Sequence, residues 1–258
     1  MERFVYKKSA GITVLSASMA DFRYKKHSHQ EYAMGVTLRG IQQYNLGGSF
    51  QSSHRSGVML FNPEQPHDGN AQDKTGIDYV MIYIEPKLFS EILEKKDLPR
   101  FASPLVYDSR LQRKILDLSH AVLNEKDEAV CNELLISLAD GVHPGLFENY
   151  RKDNELTRRA KEMIHSNLEN VLKLDDISKE LDLSKFQFIR MFQASTGISP
   201  YQYFLNCKIE HAKQIIEETK DVYSAVAGCG FVDLTHLNKY FKSTYGVTAY
   251  EYMLHLRN

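Results

Sequence analysis

The clearest alternation of apolar and polar positions lies between residues 184 and 197, where the sequence reads SKFQFIRMFQASTG. One side of this segment is apolar at helical spacing, at Phe188, Met191 and Phe192. Ser184 followed three residues later by Gln187 is the pattern of a capping box, so a helix is predicted to begin there. Only two residues separate Ser184 from a second amphipathic segment, residues 174–181. Two helices joined by so short a turn are typical of a helix-turn-helix unit.

This pattern occurs twice in the chain. With a shift of 49 residues the matched pairs are Ser184/Asp233, Phe188/Leu237, Arg190/Lys239, Phe192/Phe241, Gly197/Gly246 and Tyr203/Tyr252. Before the turn the shift is 48 residues, because the second turn holds one extra residue. A repeat at a fixed period indicates a duplicated supersecondary unit. The sequence therefore predicts two tandem helix-turn-helix units, preceded by a helix over residues 156–172 and bridged by a long helix over residues 200–219.

The C-terminal residues 156–258 resemble the paired helix-turn-helix domain of AraC/XylS-type transcription regulators. The matching positions are residues 177–184, Arg190, Phe192, Gly197, Lys208, Ala212, Gly230, Phe231, Phe241, Lys242 and Gly246. The departures from the family pattern are Ala225-Val226 for a usual Ile-Ala, Ala249 for a usual proline and Met253 for a usual arginine. The resemblance implies a sequence-specific DNA-binding regulator of transcription, and an activator more than a repressor.

The N-terminal part of the chain is predicted to be rich in β-strands. Apolar, β-branched and aromatic runs between turn residues lie at residues 32–38, 58–61 and 79–84, and residues 45–48 suit a hairpin turn. Many short strands with frequent glycine turns suit a small barrel or jelly roll. His27-Ser28-His29, Gly40 and the stretch from Gly57 to His67 resemble the cupin-like barrel at the N-terminus of the same family. The expected fold class is α+β, with an N-terminal cupin-like β-barrel, appended helices and a C-terminal all-α domain.

Residues 86–141 are predicted to be helical, beginning at Pro86. One stripe in this segment has the spacing of a coiled-coil seam, at Leu111, Ile115, Leu118 and Val122. It could pair two copies of the chain in a homodimer, or it could pack against the barrel. The expected domains are a sensing domain over 1–142, a linker over 143–155 and a DNA-binding domain over 156–258.

Composition and charge narrow the class of protein. Hydrophobic residues make up 43% and charged residues 25% of the chain, as in an ordinary globular protein. No apolar run is long enough to span a membrane, and the first residues lack the apolar core of a signal peptide. The three cysteines (Cys131, Cys207 and Cys229) lack metal-site spacing and are expected to be buried thiols in the reducing cytoplasm.

The net charge of −1 does not by itself indicate a nucleic-acid partner, and residues 155–258 hold 13 basic and 13 acidic side chains. The distribution of charge is more informative than its sum. Between residues 183 and 208 the only charged residues are Lys185, Arg190 and Lys208, and between 234 and 250 they are Lys239 and Lys242. Both proposed reading helices are therefore positive and free of acidic residues.

The resemblance assigns base reading to residues just after each helix start. These are Phe186, Gln187, Ile189 and Arg190 in the first unit, and Thr235, His236, Asn238 and Lys239 in the second. Arg190 suits guanine and Gln187 suits adenine, while Phe186 and Ile189 offer only apolar contact. Lys185 and Lys242 are expected to contact phosphates, which position the protein without specifying sequence.

The barrel could hold a small-molecule effector or form only a core. The candidate pocket residues are Phe22, Tyr24, His29, Tyr32, Met34, Tyr44, Tyr79 and Met81. His27, His29, Glu31 and His67 resemble the ligands of metal-dependent cupins, although Glu31 lies closer to the second histidine than that pattern requires. We expect no metal and no cofactor at this position.

Three functions remain open from the sequence. The first is a DNA-binding regulator controlled by a small molecule, with double-stranded DNA and, for an activator, RNA polymerase as partners. The second is a cupin-type metalloenzyme whose helical half is an interaction module, and the third is a regulator controlled by a partner protein. No catalytic triad, phosphate-binding glycine loop or paired-carboxylate motif is present, so an enzyme is not expected.

Overall fold

The computed structural model describes residues 2–95, 99–148 and 154–256. Their contacts divide the chain into two compact units, the first formed by residues 1–25 and 30–150 and the second by residues 26–29 and 151–257. Within the described residues, no helix is long and apolar enough to cross a membrane.

The first unit is built on two antiparallel sheets. The strands are β1 (Arg3–Ser9), β2 (Ile12–Met19), β3 (Arg23–His27), β4 (Tyr32–Arg39), β5 (Gln42–Leu46), β6 (Ser49–Ser53), β7 (Val58–Phe61), β8 (His67–Ala71), β9 (Ile77–Ile84), β10 (Arg100–Phe101), β11 (Leu105–Val106) and β12 (Phe147–Glu148). The larger sheet has the order β1-β2-β9-β4-β7-β11, the second has the order β3-β8-β5-β6, and β10 pairs with β12. The expected N-terminal β-fold is therefore confirmed.

The turn at residues 45–48 forms where the sequence predicts it. Strand β5 ends at Leu46, β6 begins at Ser49, and Gly47 and Gly48 between them both have positive φ angles, of 57° and 86°. Because a two-residue hairpin loop of this type needs positive φ at both positions, two glycines suit it without steric strain.

The larger sheet carries helices on one face. These are α1 (Pro86–Ile92), α2 (Ser109–Leu123) and α3 (Glu128–Gly141). Helix α1 begins at Pro86 as expected, but the segment 86–141 is not continuously helical because β10 and β11 lie between α1 and α2.

The proposed coiled-coil seam is wrong. Leu111, Ile115, Leu118 and Val122 are at most 1% exposed. They belong to one core cluster with residues of β4 and β9, including Met34 and Ile82. The stripe therefore packs against the chain's own sheet, and the same heptad-like spacing arises because one side of α2 is covered along its length.

The region expected to be a linker, residues 143–155, contains a short 3-10 helix at Pro144–Leu146 followed by β12. Residues 149–153 of that region lie outside the described residues. Asn154 then caps the next helix by accepting a hydrogen bond from the Leu156 N–H at 3.0 Å.

The second unit is all-helical. Its helices are α4 (Glu155–His165), α5 (Leu174–Glu180), α6 (Lys185–Thr196), α7 (Pro200–Thr219), α8 (Val222–Gly228), α9 (Leu234–Tyr245) and α10 (Ala249–His255). Helices α5 and α6 form the first helix-turn-helix unit and α8 and α9 the second, while α7 has the predicted bounds. The leading helix is shorter than predicted because α4 ends at His165, where Asn167 turns back and donates to the Met163 carbonyl at 3.0 Å.

The internal repeat is also a repeat of geometry. The C-capping glycines Gly197 and Gly246 have φ angles of 77° and 76°. The ring centroids of Phe192 and Tyr203 are 5.4 Å apart, and those of their counterparts, Phe241 and Tyr252, are 5.5 Å apart. Two units with the same C-capping glycine and the same aromatic pair therefore hold the C-terminal ends of their second helices in the same way.

Both turns pass through a residue with positive φ, namely Asp182 (54°) in the first unit and Gly230 (60°) in the second. A Cβ atom at Gly230 would overlap the backbone carbonyl oxygen of Glu169. Lys208 of α7 reaches the same turn, because its Nζ donates to the Gly230 carbonyl at 3.5 Å and lies 4.9 Å from the Phe204 ring centroid. Burial lowers the pKa of Lys208. The second turn is thus pressed against both the segment before α5 and the bridging helix.

Candidate nucleic-acid interface

The N-terminal half of α6 is positioned by its cap. The Ser184 hydroxyl accepts from the Gln187 N–H, and the Gln187 Oε1 accepts from the Ser184 N–H at 2.9 Å, so the predicted capping box is formed. Phe188 and Phe192 are fully buried on the inner side of the helix. Arg190 is consequently turned outward and exposed.

The remaining reading positions of α6 differ in exposure. Phe186 is 70% exposed, Gln187 is exposed and Ile189 is half-buried. The structure does not orient Gln187 for the expected bidentate contact with adenine, because its amide oxygen faces its own backbone in the capping box.

Helix α9 is capped by Asp233, whose carboxylate accepts from the His236 N–H at 2.7 Å. Leu237 and Phe241 are fully buried, and Thr235 and Lys239 are exposed. The His236 ring is half-buried, with its centroid 5.5 Å from that of Phe231.

Asn238 is also half-buried, and its side-chain oxygen accepts from the Ala249 N–H at 2.9 Å. Nothing in the apolar periodicity of α9 indicates this contact, because Ala249 lies beyond the helix, at the first position of α10. The predicted reading position Asn238 thus carries an amide held by the backbone, which periodicity alone does not reveal.

The two lysines expected to contact phosphate lie in different surroundings. Lys242 is exposed in the last turn of α9. Lys185 forms an ion pair with Asp175, with 2.8 Å between Nζ and Oδ1. Exposed pairs of this kind contribute little to stability, about 0–1 kcal/mol, so a phosphate can compete for Lys185.

In the first unit, several candidate pocket residues lie between the two sheets. The Tyr24 and Tyr79 hydroxyls are 2.8 Å apart, and the Phe22 and Tyr24 ring centroids are 4.9 Å apart. Burial raises the pKa of Tyr79 and of Tyr24, so both hydroxyls stay protonated at neutral pH. Met81 packs against the position of Gly35, where an added Cβ would lie 2.7 Å from its sulfur.

Tyr44 of β5 in the second sheet also reaches the larger sheet and the segment before β11. Its ring centroid lies 5.3 Å from that of Phe61, and its hydroxyl donates to the Pro104 carbonyl at 3.0 Å. The inter-sheet space therefore holds phenol groups that carry hydrogen-bonding oxygens inside an aromatic lining.

The prediction that Tyr32 and Met34 line the pocket is wrong. Tyr32 and Met34 belong to the cluster beneath the helices, where the Tyr32 ring centroid is 4.4 Å from that of Phe89. The Tyr32 hydroxyl donates to the Pro99 carbonyl at 2.5 Å. Side chains alternate along a strand, and both faces of β4 are buried, so the apolar pattern does not reveal which face lies inside.

The four residues that resemble cupin metal ligands are all buried. The His27 and His29 ring centroids are 6.3 Å apart, while His67 packs against Phe61 at 4.6 Å. His67 Nδ1 lies 2.8 Å from the Gln65 carbonyl oxygen. Within the described part of the chain, no three His, Cys, Asp or Glu side chains gather into a potential metal site.

A cavity of about 250 Å³ is lined by parts of both main sheets and of the segment after β10, at Leu46, Gly47, Ser49, Gln51, Leu60, Asn62, Gln65, Phe101, Ala102, Pro104 and Glu148. Its lining includes none of the predicted pocket residues. Asn62 at its edge is satisfied, because its Oδ1 accepts from the Phe101 N–H at 2.7 Å.

The Tyr24–Tyr79 contact can be measured. We expect Tyr24→Phe to destabilise the first unit by about 0.5–1.5 kcal/mol, because it removes a hydrogen bond between buried groups. Tyr79→Phe serves as the matched variant, and hydrogen exchange of the full chain reports the local stability. A double-mutant cycle with zero coupling would contradict the contact.

Two sheets joined to a pair of capped helix-turn-helix units define a DNA-binding protein with a separate sensing unit. Residues 9–139 match the family model described as the AraC-like ligand binding domain, and residues 177–254 match a helix-turn-helix domain. The chain belongs to the AraC/XylS-type transcription regulators, and it is a DNA-binding regulator with a ligand-binding domain.

Comparisons with individual proteins agree with this family. The chain is 23% identical to the uncharacterized HTH-type transcriptional regulator YbfI of Bacillus subtilis (strain 168) over 224 residues, which are 83% of this chain and 82% of that protein. It is 24% identical over 103 residues to the lactose operon transcription activator of Staphylococcus xylosus, covering 40% and 37% of the two chains. Its fold is similar to that of ToxT from Vibrio cholerae O395, with a TM-score of 0.60 and 16% identity over 95% of this chain and 98% of that chain.

Proposed function

We propose that α6 and α9 enter successive major grooves on one face of the duplex, about 34 Å apart, while α7 holds their separation. The proposed base-reading residues are Phe186, Gln187, Ile189, Arg190, Thr235, His236, Asn238 and Lys239, and the proposed phosphate contacts are Lys185 and Lys242. One observation carries this proposal. Each capped helix buries its apolar side and exposes a cation, Arg190 or Lys239, on a helix without acidic residues.

The same proposal gives the sensing domain residues 1–142, the linker residues 143–155 and the DNA-binding domain residues 156–258. The small-molecule effector binds between the two sheets of the sensing domain, against Phe22, Tyr24, Tyr44, Tyr79 and Met81. The phenol hydroxyls and the aromatic lining described above suit a largely apolar molecule with a hydrogen-bonding group. A structure of ToxT, which has a similar fold, was solved with an unsaturated fatty acid bound.

The chain acts in the cytoplasm as an activator that contacts RNA polymerase, and it catalyses no reaction. A relative named as a transcription activator supports activation, and three buried cysteine thiols among the described residues suit a reducing compartment. If the chain forms a homodimer, it does so through a surface other than the stripe on α2, because that stripe is already buried.

Selection of bound duplexes from a random DNA pool tests the proposed function most directly. We expect the full chain to enrich two short motifs whose centres are about one helical turn, 10–10.5 base pairs, apart. Binding without any enriched sequence, or enrichment of a single motif, would refute the two-groove proposal.

Lys242 should contribute affinity without sequence preference. We expect Lys242→Ala to weaken binding about equally for all sequences and to flatten the slope of log K against log salt by about 0.9, because one counterion fewer is released. The measurement is a salt titration of the enriched duplex. Lys126→Ala, which removes an exposed lysine of the first unit, is the matched control and should leave the slope unchanged.

A further inference from the structure

The orientation of the Asn238 amide is fixed by the protein. Its oxygen accepts from the Ala249 backbone N–H at 2.9 Å. Since a backbone N–H can bond only to the oxygen of an amide, the Asn238 NH₂ group must occupy the other position. This contact uses one of the two lone pairs of the oxygen and leaves both N–H donors free, so the amide meets a base mainly as a donor.

The duplicated sequence shows that this contact belongs to the second unit alone. With the 49-residue shift, Asn238 corresponds to Ile189 and Ala249 corresponds to Pro200. Proline has no N–H to donate, and the isoleucine side chain has no oxygen to accept a hydrogen bond. Substituting proline at 249 suits the backbone, because the preceding Thr248 has φ −71° and ψ 159°, nearly the values of Ser199 before Pro200, φ −69° and ψ 156°.

Gln187 in the first unit is restricted in the same sense by a different contact. Its Oε1 accepts from the Ser184 N–H at 2.9 Å in the capping box. A bidentate contact with adenine needs an acceptor for N6–H₂ and a donor for N7 on the same edge. In both Gln187 and Asn238 the oxygen is held by a backbone N–H, so the amide is not free to turn its oxygen and its NH₂ group together toward that edge.

The charged side chains of the reading helices add only donors. Arg190 and Lys239 have no acceptor atoms, and neither α6 nor α9 contains Asp or Glu. Gln193 carries an amide oxygen, but it lies about 9 Å along the helix axis from Gln187, beyond the N-terminal turns that reach base edges. Two reading positions can also accept, the Thr235 hydroxyl and a ring nitrogen of His236, but His236 Nδ1 already accepts from the Val232 N–H at 3.5 Å.

We propose that the two reading helices favour bases that present only hydrogen-bond acceptors in the major groove, guanine with N7 and O6 and thymine with O4, and that the Asn238–Ala249 contact disfavours the paired contact with adenine N6–H₂ and N7 in the second motif. This inference rests on the proposed function and adds the chemical class of the operator. Asn238 is a specificity-determining residue, and Ala249 acts through it as a positioning residue.

The test compares binding-site selection by the full-length parent with that by Ala249→Pro, which removes the N–H and frees the Asn238 amide. We expect the parent to enrich guanine or thymine at the base pair facing Asn238. Ala249→Pro should raise the frequency of adenine there by about fivefold or more, with no change at the base pair facing Arg190. Asn238→Ala should abolish the preference for guanine or thymine at that base pair. In the double variant with Ala249→Pro, it should also abolish the increase in adenine frequency.

A second measurement needs no variant that alters the backbone. It replaces guanine by 7-deazaguanine, which lacks N7, in the duplex enriched by the parent. At positions facing Gln187 or Asn238 this replacement should weaken binding about fivefold or more. Replacing an adenine there by purine, which lacks the N6 amino group, should change binding less than twofold.

The outcomes separate the two proposals. The base pair facing Asn238 is the one whose preference is lost in Asn238→Ala. If the parent already prefers adenine there, or if a folded Ala249→Pro keeps the parent's preference, the inference about Asn238 is overturned and the proposed function still stands. If Ala249→Pro does not fold, the 7-deazaguanine series decides alone, and equal binding to modified and unmodified duplexes overturns the inference. If the parent enriches no sequence, the proposed function itself fails.

Discussion

Gly230→Ala is expected to destabilise the second helix-turn-helix unit by about 3 kcal/mol. Two costs combine. An L-residue in the left-handed region costs about 1–2 kcal/mol, and forcing a methyl group into occupied space costs about 1–3 kcal/mol. Gly230 has φ +60°, and its Cβ would meet the Glu169 carbonyl oxygen, a backbone atom that cannot turn aside as a side chain can.

The first unit supplies the matched control for this prediction. Asp182 occupies the corresponding turn position with φ 54°, so Asp182→Gly should relieve the strain and change stability by less than about 1 kcal/mol. Because the chain has two units and no tryptophan, hydrogen exchange of peptides from residues 154–256 is a better probe than tryptophan fluorescence. Equal protection in Gly230→Ala and the parent would show that the turn tolerates a side chain.

Arg190→Ala is expected to cost about 1–3 kcal/mol of DNA-binding free energy, a loss of roughly 5- to 150-fold in affinity. The guanidinium is exposed on the outer side of α6, and its five donors suit guanine O6 and N7. Affinity should fall mainly for the preferred duplex, so that discrimination at one base pair is lost. Competition binding against duplexes altered at that pair measures both effects.

Arg190→Lys separates charge from geometry in this experiment. Lysine keeps the cation but not the planar pair of donors, so this variant should retain most non-specific affinity while losing discrimination. If the Arg190→Ala variant binds the preferred duplex as tightly as the parent does, Arg190 does not contact the bases.

The helical half of the fold could be predicted well because its signals are local. Capping residues, apolar spacing and C-terminal glycines each act within a few residues, so the bounds of α6 and α7 follow from the sequence. The end of α4 at His165 was harder to predict, because the next residues are polar and compatible with a further helical turn.

The sheet faces and the buried stripe on α2 could not be assigned in the same way. Tyr32 and Tyr79 are both aromatic strand residues, yet Tyr32 lies under the helices and Tyr79 lies between the sheets. Leu118 has the spacing of an exposed seam but is covered by strands distant in sequence. Which surface covers a residue depends on tertiary packing, and periodicity reports only that something covers it.

On α6 and α9 the exposed cations could be predicted from the sequence, but the contact that holds the Asn238 amide could not. The Asn238–Ala249 contact joins residues eleven positions apart and depends on a backbone N–H. The sequence does carry one signal of this contact, because both of its residues differ between the two units. The first unit has Ile189 and Pro200 where the second has Asn238 and Ala249.

The bridging helix α7 belongs to both cores of the second unit. Tyr203, Phe204 and Cys207 complete the first core, while the carboxylate of Glu217 accepts from the Tyr252 hydroxyl at 2.6 Å in the second. A fragment that stops after Gly197 would leave Phe192 without the Tyr203 ring that packs against it and open to water. Recombination between relatives could therefore transplant operator recognition only as one block running from α4 to α10, and chimaeras joined inside α7 should be insoluble.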